Sequence, residues 1–402
     1  MSPAEATTGA HASATPRGAP DQLDLSVVIP CLNESRTLAA CVRGAQRSIQ
    51  ELGLRGEVIV ADNGSTDGSQ AIAAELGARV VSVDVRGYGS AVRGGIAAAR
   101  GRFVITGDSD GSHDFSEISL FMDKLREGYD MVIGNRFRAG IRPGTMPPLH
   151  RYVGNPLLTR VGQLFFGSRV GDFHSGFRGF RKDVVERLGL RTTGFELCSE
   201  MVVKAALFRL HVAEVPTIML PAGRLAQPHL RTWRDGWRHL RFLLLYSPLW
   251  LFLYPGFALV LLGVGLGVWL FPGPRTVGGA TFGNGTLLFA GMIILAGFQA
   301  ISFALCSKVF AISEGLLPED PRLSRLSGYV NLEVGLTAGT VLLLAGASAW
   351  AFSLGAWGSH HFAATNPDGT LRVVIPGLVV LIVGFQTILL SFFLSVLGLP
   401  RA

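Results

Sequence analysis

Between Leu249 and Ala402 the chain carries four apolar runs, at about 249–271, 286–311, 330–354 and 373–398, each long enough to cross a bilayer as a helix. Backbone in lipid must satisfy its own hydrogen bonds, so these runs predict an all-α domain of four transmembrane helices. Charge is partitioned to match. From Leu249 onward there are six Lys or Arg and five Asp or Glu, so about +6 of the net +7 belongs to residues 1–248. The water-facing part is therefore basic and suits anionic partners.

The loop between the second and third runs carries Lys308, Arg322 and Arg325, against Arg275 and Arg372 for the other two loops, which predicts a cytosolic middle loop and cytosolic termini. Residues 1–22 are Ala, Thr, Ser, Pro and Gly with no apolar centre. They read as a disordered tail and not as a signal peptide, which keeps the N-terminal domain in the cytosol of a multi-pass cytoplasmic (inner) membrane protein. The apolar runs also repeat. Gly297-Phe298-Gln299 recurs as Gly384-Phe385-Gln386, and Trp269-Leu270-Phe271 is echoed by Trp350-Ala351-Phe352. Two related hairpins are predicted, with Gln299 and Gln386 at matching depth, each read as a helix-to-helix hydrogen bond rather than a transport site. Cys31, Cys41, Cys198 and Cys306 have no spacing that makes a disulfide framework or a zinc site.

Before the first run, apolar segments alternate with helical ones. Strands are predicted at 25–30, 57–61, 79–83, 102–106 and 130–134, with helices at about 35–52, 69–76 and 88–99. Such alternation gives an α/β fold with a mostly parallel sheet flanked by helices, whose ligands collect at the carboxyl ends of the strands. Two acidic segments fall there. Asp62 opens Asp62-Asn63-Gly64-Ser65-Thr66-Asp67-Gly68, and Asp108-Ser109-Asp110 closes Phe103-Val104-Ile105-Thr106-Gly107. Two carboxylates one residue apart at a strand end can share a hard cation, Mg2+ or Mn2+. An Asp-rich turn bonded to its own backbone is the alternative. From Arg224 to Arg241 five arginines accompany one acid, Asp235, and Trp233 and Trp237 lie one helical turn apart with Leu240 and Leu244 following. That pattern predicts amphipathic interfacial helices over 224–248, between a domain at 23–223 and the membrane domain at 249–402.

Taken together, Val28-Ile29-Pro30-Cys31-Leu32-Asn33-Glu34, the Asp62–Gly68 segment, Gly87-Tyr88-Gly89-Ser90-Ala91 and Asp108-Ser109-Asp110 resemble a family-2 glycosyltransferase of the GT-A fold. Gly134-Asn135-Arg136-Phe137, the Asp172–Arg178 stretch ending Ser-Gly-Phe-Arg, and Glu200–Ala205 before Glu214-Val215-Pro216 resemble the polyprenyl-phosphate (dolichol-phosphate type) mannosyl and glucosyl transferases. The resemblance spans about residues 25–245 and implies a nucleotide sugar as donor and polyprenyl (undecaprenyl or dolichyl) phosphate as acceptor. It implies nucleotide-sugar contacts from Pro30, Asn33, Glu34, Asp62, Gly87, Gly89, Asp108 and Ser109, with Asp108 and Asp110 at the metal. Helix capping is the alternative for Glu34, and an N-cap explains Asp114 equally well. Lipid phosphate would be held by Arg136 and Arg151, with Arg178, Arg224 and Arg231 as further candidates. Asp110, Arg136, Arg151 and Glu200 are the implied catalytic set, Glu200 and Asp172 as orienting or base residues. An anionic acceptor needs alignment more than a strong base, so inversion in one displacement is expected.

Two departures stand out: Asn63 replaces the second acid of the usual Asp-Asp-Gly-Ser loop, and Ser112 replaces a side chain that ligates metal in some members. The alternatives are a transferase with a glycerolipid or other lipid acceptor, a processive polysaccharide synthase and a non-catalytic membrane protein. The synthase motif Gln-x-x-Arg-Trp is met only by Gln227, Arg231 and Trp233 at the wrong spacing. Membrane lipids are expected partners and nucleic acid is not, since no nucleic-acid motif accompanies the arginines. A homo-oligomer stays open.

Overall fold

The computed structural model describes residues 23–223, 232–318, 332–359 and 367–397. The tail 1–22, Arg224, Gln227, Arg231, Arg322 and Arg325 lie outside the described residues. Contacts divide the chain into two compact units, one of residues 1–147, 174–197 and 211–228, the other of 148–173, 198–210 and 229–402. The boundary thus assigns residues 148–173 and 198–210 to the helical unit, where the sequence reading drew one line at 223.

In the first unit, β1 (Leu23–Cys31), β2 (Gly56–Asp62), β3 (Arg79–Ser82), β4 (Gly101–Thr106), β5 (Met131–Asn135), β6 (Arg178–Arg181) and β7 (Val212–Pro216) form one seven-stranded sheet of order β3-β2-β1-β4-β6-β5-β7. All pairings are parallel except those of β6, which runs antiparallel between β4 and β5. Residues 25–31 of β1 are buried without interruption, as expected of a central strand covered on both faces. Leu25, Val27, Ile29 and Cys31 pack with Leu38, Val42 and Ala45 of α1 (Leu38–Glu51) and with Phe121 and Leu125 of α4 (Ile118–Arg126). Val28 faces the other way, toward α3 (Tyr88–Ala98), where a Cβ on Gly95 would stand 2.3 Å from Val28 Cγ1. Helix α2 (Ser69–Glu75) sends Ala73 into the first core. The predicted helix at about 35 starts three residues later, because Thr37 and Leu38 N–H both close a turn on the Glu34 carbonyl. After β5 comes the short α5 (Arg136–Ala139), and after β6 comes α7 (Lys182–Arg187).

The second unit holds α6 (Asn155–Phe166), the main part of α8 (Leu197–Leu207), α9 (Thr232–Leu245), α10 (Tyr254–Leu270), α11 (Asn284–Ser313), α12 (Leu332–Ser359) and α13 (Pro367–Leu397). Among the described residues four helices are long and apolar enough to cross a membrane: Leu249–Leu270, Asn284–Ser313, Leu332–Ser359 and Gly369–Leu397. On α9, Trp233 and Trp237 are exposed while Asp235, His239, Phe242 and Leu243 are buried, so the helix has one inward face and one with two tryptophans outward.

The repeat is built on glycine contacts. A Cβ on Gly256 would lie 2.8 Å from the Gly297 carbonyl oxygen, and one on Gly263 would lie 2.7 Å from that of Ala290. The second hairpin repeats this, with Gly339 2.9 Å from the Gly384 oxygen and Gly346 2.6 Å from that of Gly377. The first helices therefore correspond at an offset of 83 and the second at 87. Trp269 matches Phe352 and not Trp350, which corrects the sequence-based echo. Gln386 Nε2 donates to Gln299 Oε1 at 3.1 Å, the expected bond between equivalent residues of α11 and α13. Arg372 caps α10, with Nη1 3.3 Å from the Leu270 carbonyl and 3.4 Å from that of Phe271. A small hairpin of Arg275–Val277 and Ala280–Phe282 was not anticipated. Its signal was present in Gly278-Gly279, which both take positive φ as a two-residue turn of this kind needs.

Close helix approach through small residues dominates over polar bonds in lipid. Gly384→Val places its Cβ 2.5 Å from Leu343 N and 2.8 Å from the Gly339 oxygen, both backbone, so neither neighbour can rotate away. An overpacking cost of about 1–3 kcal/mol is expected. Gln299→Leu should cost about 0.6 kcal/mol. Thermal unfolding of the two variants in detergent should separate them in that order.

Candidate active site

Because β1, β2, β3, β4 and β5 run in one direction, their carboxyl ends share one edge of the sheet, and the loops that follow them carry most of the predicted site residues. The Asp62 carboxylate is buried and accepts from its own loop: Gly64 N–H at 3.0 Å, Ser65 N–H at 3.1 Å and Gln70 Nε2 at 2.6 Å, all at Oδ2. Burial pushes its pKa up, but the bonds from Ser65, Gln70 and Gly64 outweigh that and hold it below the usual Asp value. Asn33, at φ 56°, accepts from Thr66 N–H at 2.8 Å and so ties the first loop to the second. Asp67 completes the tie by accepting from Ser35 N–H at 2.9 Å. Burial pushes its carboxyl up, yet hydrogen bonds from Ser69 and Ser35 bring it down to about 2.

Asn63 explains its departure from the family pattern. Its amide nitrogen donates to the carbonyls of Val83 and Val85, both at 2.9 Å, and its oxygen accepts from Gly87 N–H at 2.7 Å. A carboxylate has no hydrogen for the two carbonyls, so Asn63 is a strut for the glycine loop. Gly87 and Gly89 were expected to let backbone approach a ligand. They approach protein instead: a Cβ on Gly87 would stand 2.2 Å from the Thr193 carbonyl oxygen, and one on Gly89 would stand 2.7 Å from those of Thr192 and Gly194.

At the end of β4, Ser109 Oγ donates to the Pro30 carbonyl at 2.8 Å, which assigns both residues to the scaffold that joins β1 to β4. Asp110, 7% exposed, accepts from Ser112 N–H at 2.9 Å, and its carbonyl receives Gly223 N–H at 2.9 Å. Asp108 is more open. Its Oδ1 accepts from the Tyr88 hydroxyl at 2.9 Å, and its backbone N–H donates to His113 Nδ1 at 3.0 Å. His113 stacks on Phe177 with ring centroids 5.0 Å apart. Tyr88 and His113 were missed as site residues; the signal for His113 was its place five residues after Asp108 in the same loop. Glu34 is buried, and its Oε2 accepts from Thr37 Oγ1 at 3.4 Å; the N-cap of α1 is Thr37, without a side-chain cap bond, so the Glu34 carboxylate does not cap the helix as the alternative expected. Asp114 accepts from Ser116 N–H and caps the 3-10 turn Phe115–Glu117.

Burial pushes Cys41 up to about 12, and the charges of Asp110, Asp108 and Glu34 push it the same way against a hydrogen bond with the Gly111 backbone. Among the described residues no three or more His, Cys, Asp or Glu gather as a metal site. Two carboxylates nevertheless fit Mg2+ or Mn2+, which take one or two from protein and the rest from water and phosphates.

The basic candidates lie on different elements. Arg136 begins α5 at the carboxyl end of β5 and is half-buried. Arg151, in the second unit, lies in the π-helical turn His150–Gly154 with its guanidinium 5.3 Å from the Tyr152 ring centre. Arg178 is 1% exposed, and its Nε donates to the Ser175 carbonyl at 2.7 Å, so it orders the Ser-Gly-Phe-Arg turn rather than offering a surface cation. Glu200 is fully buried and paired with Lys204 at 2.8 Å. Such a carboxylate is an internal strut, unlike the reacting group expected from the sequence.

A mostly parallel sheet with an acid pair at its carboxyl edge, joined in one chain to four membrane-length helices among the described residues, defines a membrane-attached α/β protein. The chain belongs to glycosyl transferase family 2, whose profile matches residues 26–189, while the family 2 C-terminal transmembrane region matches 305–398. It is a glycosyltransferase. It is similar to the low-salt glycan biosynthesis hexosyltransferase Agl6 of Haloferax volcanii, 38% identical over 375 residues covering 93% of this chain and 89% of the relative. The dolichyl-phosphate hexose transferase of the same organism is 32% identical over 193 residues, 48% of this chain and 81% of that one. Among solved structures, glucosyl-3-phosphoglycerate synthase of Mycobacterium tuberculosis aligns with a TM-score of 0.45 at 26% identity, covering 55% of this chain and 79% of the other.

Proposed function

We propose that this glycosyltransferase moves a hexose from a nucleotide sugar of the GDP-mannose or UDP-glucose type to a polyprenyl phosphate at the cytosolic face of the cytoplasmic membrane. The observation that carries the reading is the acid pair Asp108 and Asp110, which follows β4 at the carboxyl edge of the sheet, with Asp110 buried and Asp108 bonded to the Tyr88 hydroxyl. The dolichyl-phosphate hexose transferase named above supports the acceptor class. Asp108 and Asp110 would hold Mg2+ or Mn2+, which when bound offsets the charge that builds on the leaving diphosphate. Asp62 and Glu34 serve the nucleoside end of the donor.

Arg136 and Arg151 are proposed to align the lipid phosphate, with Arg224 and Arg231 as further cations. A phosphate oxygen attacks the anomeric carbon, the bond from that carbon to the diphosphate breaks, and its electron pair leaves with the nucleotide. The configuration inverts. The attacking oxygen is already anionic, so no base has to remove a proton, and the buried Glu200 is not required for one. The catalytic domain at 23–223, the interfacial segment at 224–248 and the membrane domain at 249–402 make up the proposed organisation.

The acceptor is tested by substitution of its head. Purified protein receives undecaprenyl phosphate, undecaprenol or diacylglycerol in parallel, with labelled GDP-mannose or UDP-glucose. Label should enter only the phosphorylated lipid. Label in diacylglycerol or undecaprenol with none in the phosphate would transfer the assignment to a different acceptor class.

A further inference from the structure

We infer that Tyr88 is a positioning residue for Asp108, setting the carboxylate's orientation toward the divalent cation; this rests on the metal reading of the acid pair given above. The Tyr88 hydroxyl donates to Asp108 Oδ1 at 2.9 Å, a charge-assisted bond that restrains rotation of the carboxylate without neutralising it. The tyrosine is itself held. Its ring stacks on Phe195 with centroids 4.8 Å apart and planes 19° from parallel. Its preceding residue, Gly87, is fixed at φ 131° by the bond of its N–H to Asn63 Oδ1 at 2.7 Å. Asn63 is anchored in turn on the Val83 and Val85 carbonyls.

Gly176 limits the room around both groups. A Cβ on Gly176 would stand 2.7 Å from the Tyr88 hydroxyl oxygen and 3.1 Å from each carboxylate oxygen of Asp108. The glycine of the Ser-Gly-Phe-Arg turn is therefore where the tyrosine and the acid need room. His113 fixes the backbone of the same acid through Asp108 N–H. Asp108 is thus held at its amide, at one carboxylate oxygen and by the wall beside it, while its side chain stays 30% exposed. A carboxylate so ordered gives up little freedom when it takes a cation, whereas a loosely held one must lose rotamer entropy on binding.

The test is Mn2+ binding to the full-length protein in detergent, read from the electron paramagnetic resonance of free Mn2+, with UDP and with GDP. Tyr88→Phe keeps the stacked ring and removes only the hydroxyl. Its Mn2+ dissociation constant should rise about 5- to 10-fold with unchanged thermal unfolding. Transfer should follow the same shift in its Mn2+ dependence and recover at high Mn2+, where a purely structural loss would lower it at every concentration. Gly176→Ala presses on the same two groups and should weaken Mn2+ in the same sense. If the parent binds Mn2+ and both variants bind it equally well, the inference is overturned while the metal reading stands. If the parent binds no Mn2+ with either nucleotide, both are overturned.

Discussion

Asp110→Ala should lower sugar transfer by about 10²- to 10³-fold, the scale seen when a preorganised electrostatic group is removed from a reacting centre. The alanine change removes two things at once. Asp110 Oδ1 also accepts the Ser112 N–H, so its loss loosens the loop that carries the pair. Asp110→Asn separates them, because the amide oxygen can keep that bond while the charge is gone. Both variants should be nearly inactive, and the asparagine variant should unfold close to the parent temperature. The measurement is initial transfer rate beside thermal unfolding. An active asparagine variant would mean that the Asp110 charge is not used in the reaction.

The second large effect is on stability. Glu200 and Lys204 form an ion pair at 2.8 Å with side chains 0% and 1% exposed, and Lys204 Nζ also lies 6.0 Å from the Tyr246 ring centre. Taking both charges from water is costly, and their attraction offsets that only while both are present. Lys204→Met leaves the Glu200 charge buried without this partner and should cost about 3–5 kcal/mol. Joining it to Glu200→Leu should restore most of the loss, since apolar side chains of similar volume often replace a buried pair at little net cost. Thermal unfolding of the single and double variants checks this. Equal unfolding temperatures for Lys204→Met and the parent would show that the pair is no anchor. The same logic governs how an inactive Glu200 variant is read, because loss of fold and loss of chemistry give the same rate.

The fold was legible because its determinants are local. Uninterrupted apolar segments such as Val27–Ile29 and Val104–Ile105 can only be covered strands, and lipid permits little but helices for the four apolar runs. The pairing of Gln299 with Gln386 was also legible, since identical neighbours mark equivalent depth. What sequence could not give is direction and partnership of side chains. Gly87 and Gly89 look like ligand-approach glycines, yet their missing Cβ atoms make room for Thr192–Gly194, which are about a hundred residues away in the chain. Arg178 carries a charge suited to phosphate, but as a residue of β6 it is buried, and only the sheet order reveals that. Asn63 stood out only as a departure from the usual loop until its three hydrogen bonds showed a strut. Tyr88 stood inside a quoted motif without an assigned role, because its bond to Asp108 joins two loops that sequence does not place together.

Transfer to lipid is tested most directly with purified full-length protein, Mg2+, undecaprenyl phosphate and labelled GDP-mannose, UDP-glucose or UDP-GlcNAc in parallel. One donor should place its sugar on the lipid phosphate and release the matching nucleoside diphosphate, and Asp110→Ala should not. Absence of labelled lipid from all three donors, or equal labelling by Asp110→Ala, would contradict transfer through this acid pair.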